Sequence, residues 1–321
     1  MKLTRRDGLR FAGAAAVAAF VPRPVQAQNW PTRPIRAMVP FSAGSTIDIV
    51  GRIVLDPLSA QLGQPIVIEN RGGAGGSIGS AMVAKSEPDG YTMLVHAAAH
   101  SAATAAYPNL SYDVARDFAG VAMFGTIPNV TVISPDKGIK TLKELVARAK
   151  AKPGSVSFGS SGPGSATHVA AERLRISAGF TAVNVPFRGA EGLLEVVAGR
   201  VDYFCVGVSA ALPHIQSGKL IPLAVSTPKR SLALPNVPTT IEEGFPDSDY
   251  NYWMGMLVPA KTPRTIVDRL HQETMKALKH PSVVQKFATQ GIEPLPLSPA
   301  AFDALIVKEI EINKAVVKAA G

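Results

Sequence analysis

The chain has 321 residues and a formal charge of +9, with 46% apolar, 6% aromatic and 18% charged side chains. That length accommodates two domains of ordinary size, and a composition rich in Ala, Gly and Pro excludes a disordered chain and suits an α/β protein with small-residue turns. No Lys/Arg-rich run is interleaved with aromatics, which excludes nucleic acid as a partner, and a single cysteine, Cys205, excludes an internal disulfide.

Residues 1–27 read as an export signal: a basic segment with Arg5 and Arg6, the apolar stretch FAGAAAVAAFV, and VQA before Gln28. The arginine pair points to the twin-arginine route. The apolar stretch is too short for a comfortable membrane span, and no later run reaches about 18 apolar residues. A soluble mature protein outside the cytoplasm is therefore expected. The five basic residues of this segment face only Asp7, so the remainder carries 28 basic and 23 acidic side chains, a net +5. This balance weakly favours small anionic ligands.

Ile35 to Val39 is a short apolar run between Pro34 and Pro40, and predicts a strand. Ile47, Val50, Ile53, Val54, Leu58 and Leu62 then recur at helical spacing until Gly63 and Pro65. The junction between them holds Gly44, Ser45, Thr46 and Asp48. A helix N-terminus leaves backbone N–H groups unpaired and carries about half a positive charge, so this turn reads as one wall of an anion site. The alternative is that Ser45 and Asp48 form a capping box, S-x-x-D, for their own helix.

A second strand is predicted over 65–69, followed by NRGGAGGSIG, a small-residue helix to about Lys85, a strand over 91–95 and a loop running into a helix over 96–106. This alternation predicts a parallel sheet with crossovers. FAGVAMFG and VTVIS are two apolar runs split by Ile127-Pro128-Asn129, where the chain is expected to leave its first domain. A helix over 142–150 and a strand over 156–158 lead to the turn GSSGPGS at 159–165, with a helix from Ala166. A strand over 183–185, the turn PFRGAEG and a helix over 193–198 repeat the pattern. Strands follow over 201–208 and 220–225 around a short helix, and Cys205 in DYFCVGV reads as a buried core thiol. After a Pro- and acid-rich loop, YWMGMLV is expected to return to the first domain. Two amphipathic helices, about 263–279 and 299–320, close the chain.

Taken together, PFSAGSTIDIVGR, IENRGGAGGSIG, SEPDGYTML, SYDVARDFAGV, SSGPGSATHVAAE, VPFRGA, AGRVDYF, SGKLIPLAVSTPKRSLALPNVPTTIEEGFP and VPAKTPRTIVDRL resemble, in order, segments of the Bug-type substrate-binding receptors of tripartite tricarboxylate transporters. The resemblance covers essentially all of the mature chain. It implies an α/β, two-lobed periplasmic binding protein, type II-like, that closes on a small organic carboxylate and delivers it to membrane transporter subunits. By motif match, the ligand-gripping loops are Phe41 to Asp48, Ser160 to His168 and Phe187 to Ala190. The implied ligand-binding residues are Phe41, Ser42, Ala43, Gly44, Ser45, Thr46, Asp48, Ser160, Ser161, Gly162, Ser165, His168, Arg188, Gly189 and Ala190. The chain departs from the family where Gly44-Ser45-Thr46-Ile47-Asp48 replaces the usual Gly-Gly-x-Thr-Asp, and where Phe187-Arg188-Gly189 replaces Tyr-Lys-Gly. Its C-terminal helix also lacks the tryptophan often found there.

Other chemistries find only partial motifs in the chain. Gly73 to Gly79 fits G-x-G-x-x-x-G after a strand, which admits an exported NAD(P)-dependent oxidoreductase, yet the next strand ends Val95-His96 without the acidic residue a dinucleotide fingerprint needs. The turn at Gly159 lacks the final Gly of G-x-S-x-G. His96 and His100 have helix-face metal spacing without the Glu or Cys that would complete a site. Arg188 reads equally as a bidentate ligand contact or a solvated rim arginine, and His168 as a ligand donor or a cap of its own turn. The expectation is a non-enzymatic monomer with no cofactor, metal or catalytic residue. Its predicted limits are a signal over 1–27, one lobe over 28–126 plus 251–321, and a second over 127–250, with crossings near Thr126 and Asn251.

Overall fold

Two five-stranded sheets carry the fold, in the orders β2-β1-β3-β10-β4 and β7-β6-β8-β5-β9. The computed structural model describes residues 30–189, 191–250 and 252–320, with side chains to residue 314; the export signal, Ala190 and Asn251 lie outside the described residues. In the first sheet β1 (Ile35–Val39) runs parallel to β2 (Ile66–Asn70) and β3 (Thr92–Ala97), while β10 (Tyr252–Pro259) lies antiparallel between β3 and β4 (Phe118–Ile127). In the second, β6 (Ser157–Ser160) runs parallel to β7 (Val183–Pro186) and β8 (Tyr203–Gly207), while β5 (Asn129–Ile133) lies antiparallel between β8 and β9 (Ile221–Val225).

The sheets are mixed, where alternation alone predicts parallel ones. Strand-helix-strand units give the parallel pairs, and each sheet then receives one reversed strand at a point where the chain changes sheet. The first change is sharp: β4 ends at Ile127 and β5 begins at Asn129. Pro128 between them has no N–H with which to continue a ladder. On the return, the Tyr250 N–H still bonds to the Ser226 carbonyl at 2.9 Å beside the second sheet, and Tyr252 opens β10 in the first.

Ten α-helices are described: α1 (Thr46–Leu62), α2 (Ser77–Ala84), α3 (Ala99–Ala106), α4 (Leu142–Ala151), α5 (Ala166–Ala178), α6 (Glu191–Val197), α7 (Val208–Gln216), α8 (Arg264–Leu278), α9 (Pro281–Gln290) and α10 (Pro299–Ala320). Helix α9 is absent from the sequence expectation because only Val283 and Phe287 on it are buried, too few apolar positions to make a periodic signal. Its punctuation was nonetheless present, with Pro281 in the first turn and Gly291 in the left-handed cap.

Every residue of β3, β8 and β10 is buried, the pattern of central strands covered on both faces. Trp253 of β10 meets Phe302 of α10 edge-on at 5.0 Å, and its Nε1 donates to Glu309 at 2.5 Å. Ser101 of α3 donates to the same carboxylate at 2.9 Å, so one half-buried acid ties the C-terminal helix to the first sheet. Burial pushes its pKa up, against the hydrogen bonds from Trp253 and Ser101. Cys205 is a core thiol, 3.4 Å from the Thr131 hydroxyl, and burial pushes it up to about 12.

Candidate functional site

The turn before α1 is built around a buried carboxylate. Gly44 adopts φ +79°, a left-handed conformation that glycine takes without a Cβ clash. Asp48 accepts the Gly44 N–H at 2.9 Å and Asn70 Nδ2 at 2.9 Å, and Arg52 Nε lies 3.1 and 3.0 Å from its two oxygens. Asn70 also donates to the Phe41 carbonyl at 3.0 Å, fixing the other end of the loop. Burial alone would raise the Asp48 pKa; the bonds from Arg52, Asn70 and Gly44 outweigh it and hold the acid below its ordinary value. Asp48 is thus the turn's internal anchor, already neutralised by Arg52.

The capping box does not form, since Ser45 makes no side-chain capping bond to α1. Its Oγ and the Oγ1 of Thr46 are buried without a partner among the described residues. The first-turn amides of α1 have no preceding carbonyl to bond, so this helix start offers both unspent amides and unspent hydroxyls.

In the matching turn of the second sheet the loop amides before α5 are bonded, while Ala166 and Thr167, which line the cavity, keep first-turn amides with no preceding carbonyl. Ser161 N donates to Thr167 Oγ1 at 2.8 Å, Gly162 N to Ser160 Oγ at 3.2 Å, Gly164 N to His168 Nδ1 at 3.3 Å and Ser165 N to the Gly162 carbonyl at 3.0 Å. Ser165 Oγ caps α5 by accepting from His168 N at 3.3 Å. His168 therefore serves its own loop, and burial lowers its pKa.

Between the two turns lies a cavity of about 30 Å³, room for one or two water molecules and far smaller than an ordinary ligand pocket. Of the residues implied by the sequence, Phe41, Ser45, Thr46, Ser161, Ser165 and Gly189 line it. Ser42 stands at the seam beside it. Ala43 and Gly44 are exposed, while Ser160, Gly162 and Asp48 are buried behind the loops. Arg188 is exposed on the rim; its carbonyl, not its guanidinium, enters the seam, 3.4 Å from Ser42 N. Ala190 lies outside the described residues. Ile47, Ala166 and Thr167, which fall within the loops expected from sequence, also line it; Leu193, Phe204, Val206, Ala210 and Tyr252 complete the lining and were not anticipated. The apolar run DYFCVGV was the available signal for Phe204 and Val206, but it read simply as core.

The cavity is shut by close backbone contact across a glycine seam. A Cβ on Gly72 would stand 2.7 Å from the Arg188 carbonyl, one on Gly75 2.5 Å from the Pro163 carbonyl, one on Gly162 3.0 Å from Gly75 N, and one on Gly207 2.5 Å from Thr46 Oγ1. Gly164 is likewise packed on Ala106, and Gly189 on Ser42. Gly75 and Gly76, in the loop that mimicked a dinucleotide fingerprint, have φ of +61° and +99° and are buried. Gly75 answers to the Pro163 carbonyl of a neighbouring loop and Gly76 to His96 and Phe41, and the oxidoreductase alternative is not supported. His96 and His100 lie in the core, ring centroids 5.3 Å apart, with Phe41 and Phe118 edge-on at either end.

Residues 50–321 match the model of a family described as tripartite tricarboxylate transporter family receptor. The chain belongs to that family. The receptor is 34% identical to protein BugT of Bordetella pertussis, over 100% of this chain and 99% of that one. Its fold is that of a periplasmic binding protein. It matches Rpa4515 of Rhodopseudomonas palustris, solved with adipate, at a TM-score of 0.87 and 32% identity, covering 91% of this chain and 99% of that one. MatC from Rhodopseudomonas palustris, solved with bound malate, matches at 0.85 and 30% identity, over 90% of this chain and all (100%) of that one.

Proposed function

We propose that this receptor works outside the cytoplasm, holds a small organic carboxylate between its two lobes without acting on it chemically, and hands it to membrane subunits of a tripartite tricarboxylate-type transporter. The observation that carries this reading is the start of α1, where Ser45 and Thr46 hydroxyls lie buried and unpartnered on the interlobe cavity above uncapped amides. Such a terminus stabilises an anion through its dipole and N–H groups without a basic side chain. The adipate and malate held by the two relatives are the same chemistry.

The lobe limits we propose are 28–126 with 251–321, and 127–250, for a monomeric mature protein beginning near Gln28. The sheet changes at Pro128 and between Tyr250 and Tyr252 support the internal limits. Among the described residues no helix is long and apolar enough to cross a membrane. Arg5 and Arg6 support export by the twin-arginine route. Replacing both with Lys should retain the precursor in the cytoplasm, and unchanged export would remove that route from the reading.

The binding reading is tested by calorimetry with carboxylates and their amides. Loss of the ligand charge is expected to cost at least about 1 kcal/mol per carboxylate seated at the helix start. Amides or sugars that bind as well as acids would refute the reading.

A further inference from the structure

Buried polar groups without partners gather at one corner of the cavity. Asn129 opens β5 directly after Pro128 and is 1% exposed, and neither its Nδ2 nor its Oδ1 has a hydrogen-bond partner among the described residues. Ser209, 2% exposed in the first turn of α7, and Thr46, 4% exposed in the first turn of α1, carry hydroxyls in the same condition, and so does Ser45 beside Thr46. A buried amide or hydroxyl left unpaired costs stability, so such a gathering calls for a reason outside packing.

The register brings these groups to one place. Asn129 pairs with Gly207 across the antiparallel β5–β8 ladder, and the Val208 N–H bonds to the Pro128 carbonyl at 3.0 Å. Directly opposed residues carry their Cβ atoms on one face, about 5 Å apart. A Cβ at Gly207 would meet Thr46 Oγ1 at 2.5 Å, so the Asn129 carboxamide and the Thr46 hydroxyl flank the same glycine. Val206 and Ala210, on either side of the stretch from Gly207 to Ser209, line the cavity together with Thr46. A space of about 30 Å³ holds no organic acid, so a bound ligand stands α1 off Gly207 and uncovers this corner next to the start of α1.

All of these groups are neutral. A carboxamide both donates and accepts, and the ligand group that answers it in kind is a hydroxyl. Thr46 belongs to the carboxylate seat as well as to the corner, which puts that hydroxyl on the carbon next to the carboxyl. Resting on the receptor reading above, we infer that Asn129 is a specificity-determining residue: its carboxamide reads a hydroxyl beside the seated carboxylate and favours a ligand that carries one over the unsubstituted acid. Held between Asn129 on the second sheet and Thr46 on α1, the hydroxyl joins the two sides of the seam.

The test is calorimetric titration of the mature protein and its Asn129→Leu variant with matched pairs: propionate against lactate, succinate against malate, and phenylacetate against mandelate. In the pairs that bind, the parent is expected to hold the hydroxy acid at least about ten-fold tighter, since the unsubstituted acid leaves the corner unpaired, and the variant to hold both members alike within about two-fold. Leu is close to Asn in size and needs no partner, so the variant's urea midpoint should equal or exceed that of the parent. Equal binding within the pairs, or a preference that the variant retains, would overturn this inference and leave the carboxylate receptor standing. A lowered midpoint would make Asn129 a structural residue and overturn it as well. Binding of none of the six acids would overturn the receptor reading and this inference with it.

Discussion

Ser45 and Ser165 occupy the same place in two similar sentences of sequence, each the residue before a helix, yet only one of them caps. Ser165 Oγ accepts from His168 N, so Ser165→Ala should cost about 1 kcal/mol of stability in urea unfolding. Ser45 makes no such bond, so Ser45→Ala should change stability by less than about 0.5 kcal/mol while weakening ligand binding. Equal destabilisation by the two substitutions would make Ser45 a structural cap and remove it from the site. The reason sequence cannot separate them is visible in the neighbours. At S-x-x-D the acid is drawn off by Gly44, Asn70 and Arg52, and Asn70 sits 22 residues away on β2, beyond any local motif. At S-x-T-H the hydroxyls of Ser160 and Thr167 close the loop on themselves.

At the scale of elements, the joint between β3 and α3 stores a liability at low pH. His96 and His100 are buried against each other and two phenylalanines, and burial drives His100 to about 4, opposed only by the Val114 backbone; His96 is driven well down by burial and then by its neighbour. Both imidazoles bind protons more readily in the unfolded chain, where the ordinary value is about 6.5. Their neutral packing is therefore fully compatible with folding above about pH 6.5, and stability falls as pH drops from there toward 4. For His100 alone the loss reaches about 2 to 3 kcal/mol by pH 4.5. Urea midpoints at pH 7 and 4.5 measure it: His100→Leu should flatten the decline by that amount, and a decline parallel to that of the parent protein would place its origin elsewhere. The element order itself was largely legible, because strand, glycine turn and helix recur with clear periods and Pro128 marks the change of sheet. What local pattern could not supply was orientation across the molecule. The reversed strands β5 and β10 pair with strands distant in sequence, and Gly75 is fitted to Pro163, some 90 residues later, so a contact surface imitated a nucleotide motif.

For the whole molecule, capture between the lobes as proposed makes a cavity of about 30 Å³ behind a continuous seam the closed arrangement, with a ligand entering through another. We place the hinge of that motion at the two sheet changes; next to the first of them Thr126 and Glu293 exchange backbone hydrogen bonds at 2.9 Å. Gly207 offers a wedge. Its φ of −56° and ψ of 135° suit any residue, but a methyl group there would meet Thr46 Cγ2 and Oγ1 at 2.5 Å, across the seam from the second sheet to α1. Gly207→Ala should therefore leave each lobe folded, with an unfolding midpoint near that of the parent, and should weaken binding at least ten-fold, about 1.4 kcal/mol, by opposing closure. Small-angle scattering separates this from local damage to the site. The parent protein is expected to contract on saturation with a carboxylate, because only closure brings the apolar wall of Phe204 and Val206 over a ligand seated at Thr46, whereas the Gly207→Ala protein should stay expanded at the same ligand concentration. A parent protein that starts open and keeps its radius of gyration at saturation would confine the site to one lobe, and the glycine seam would then be packing without a part in capture.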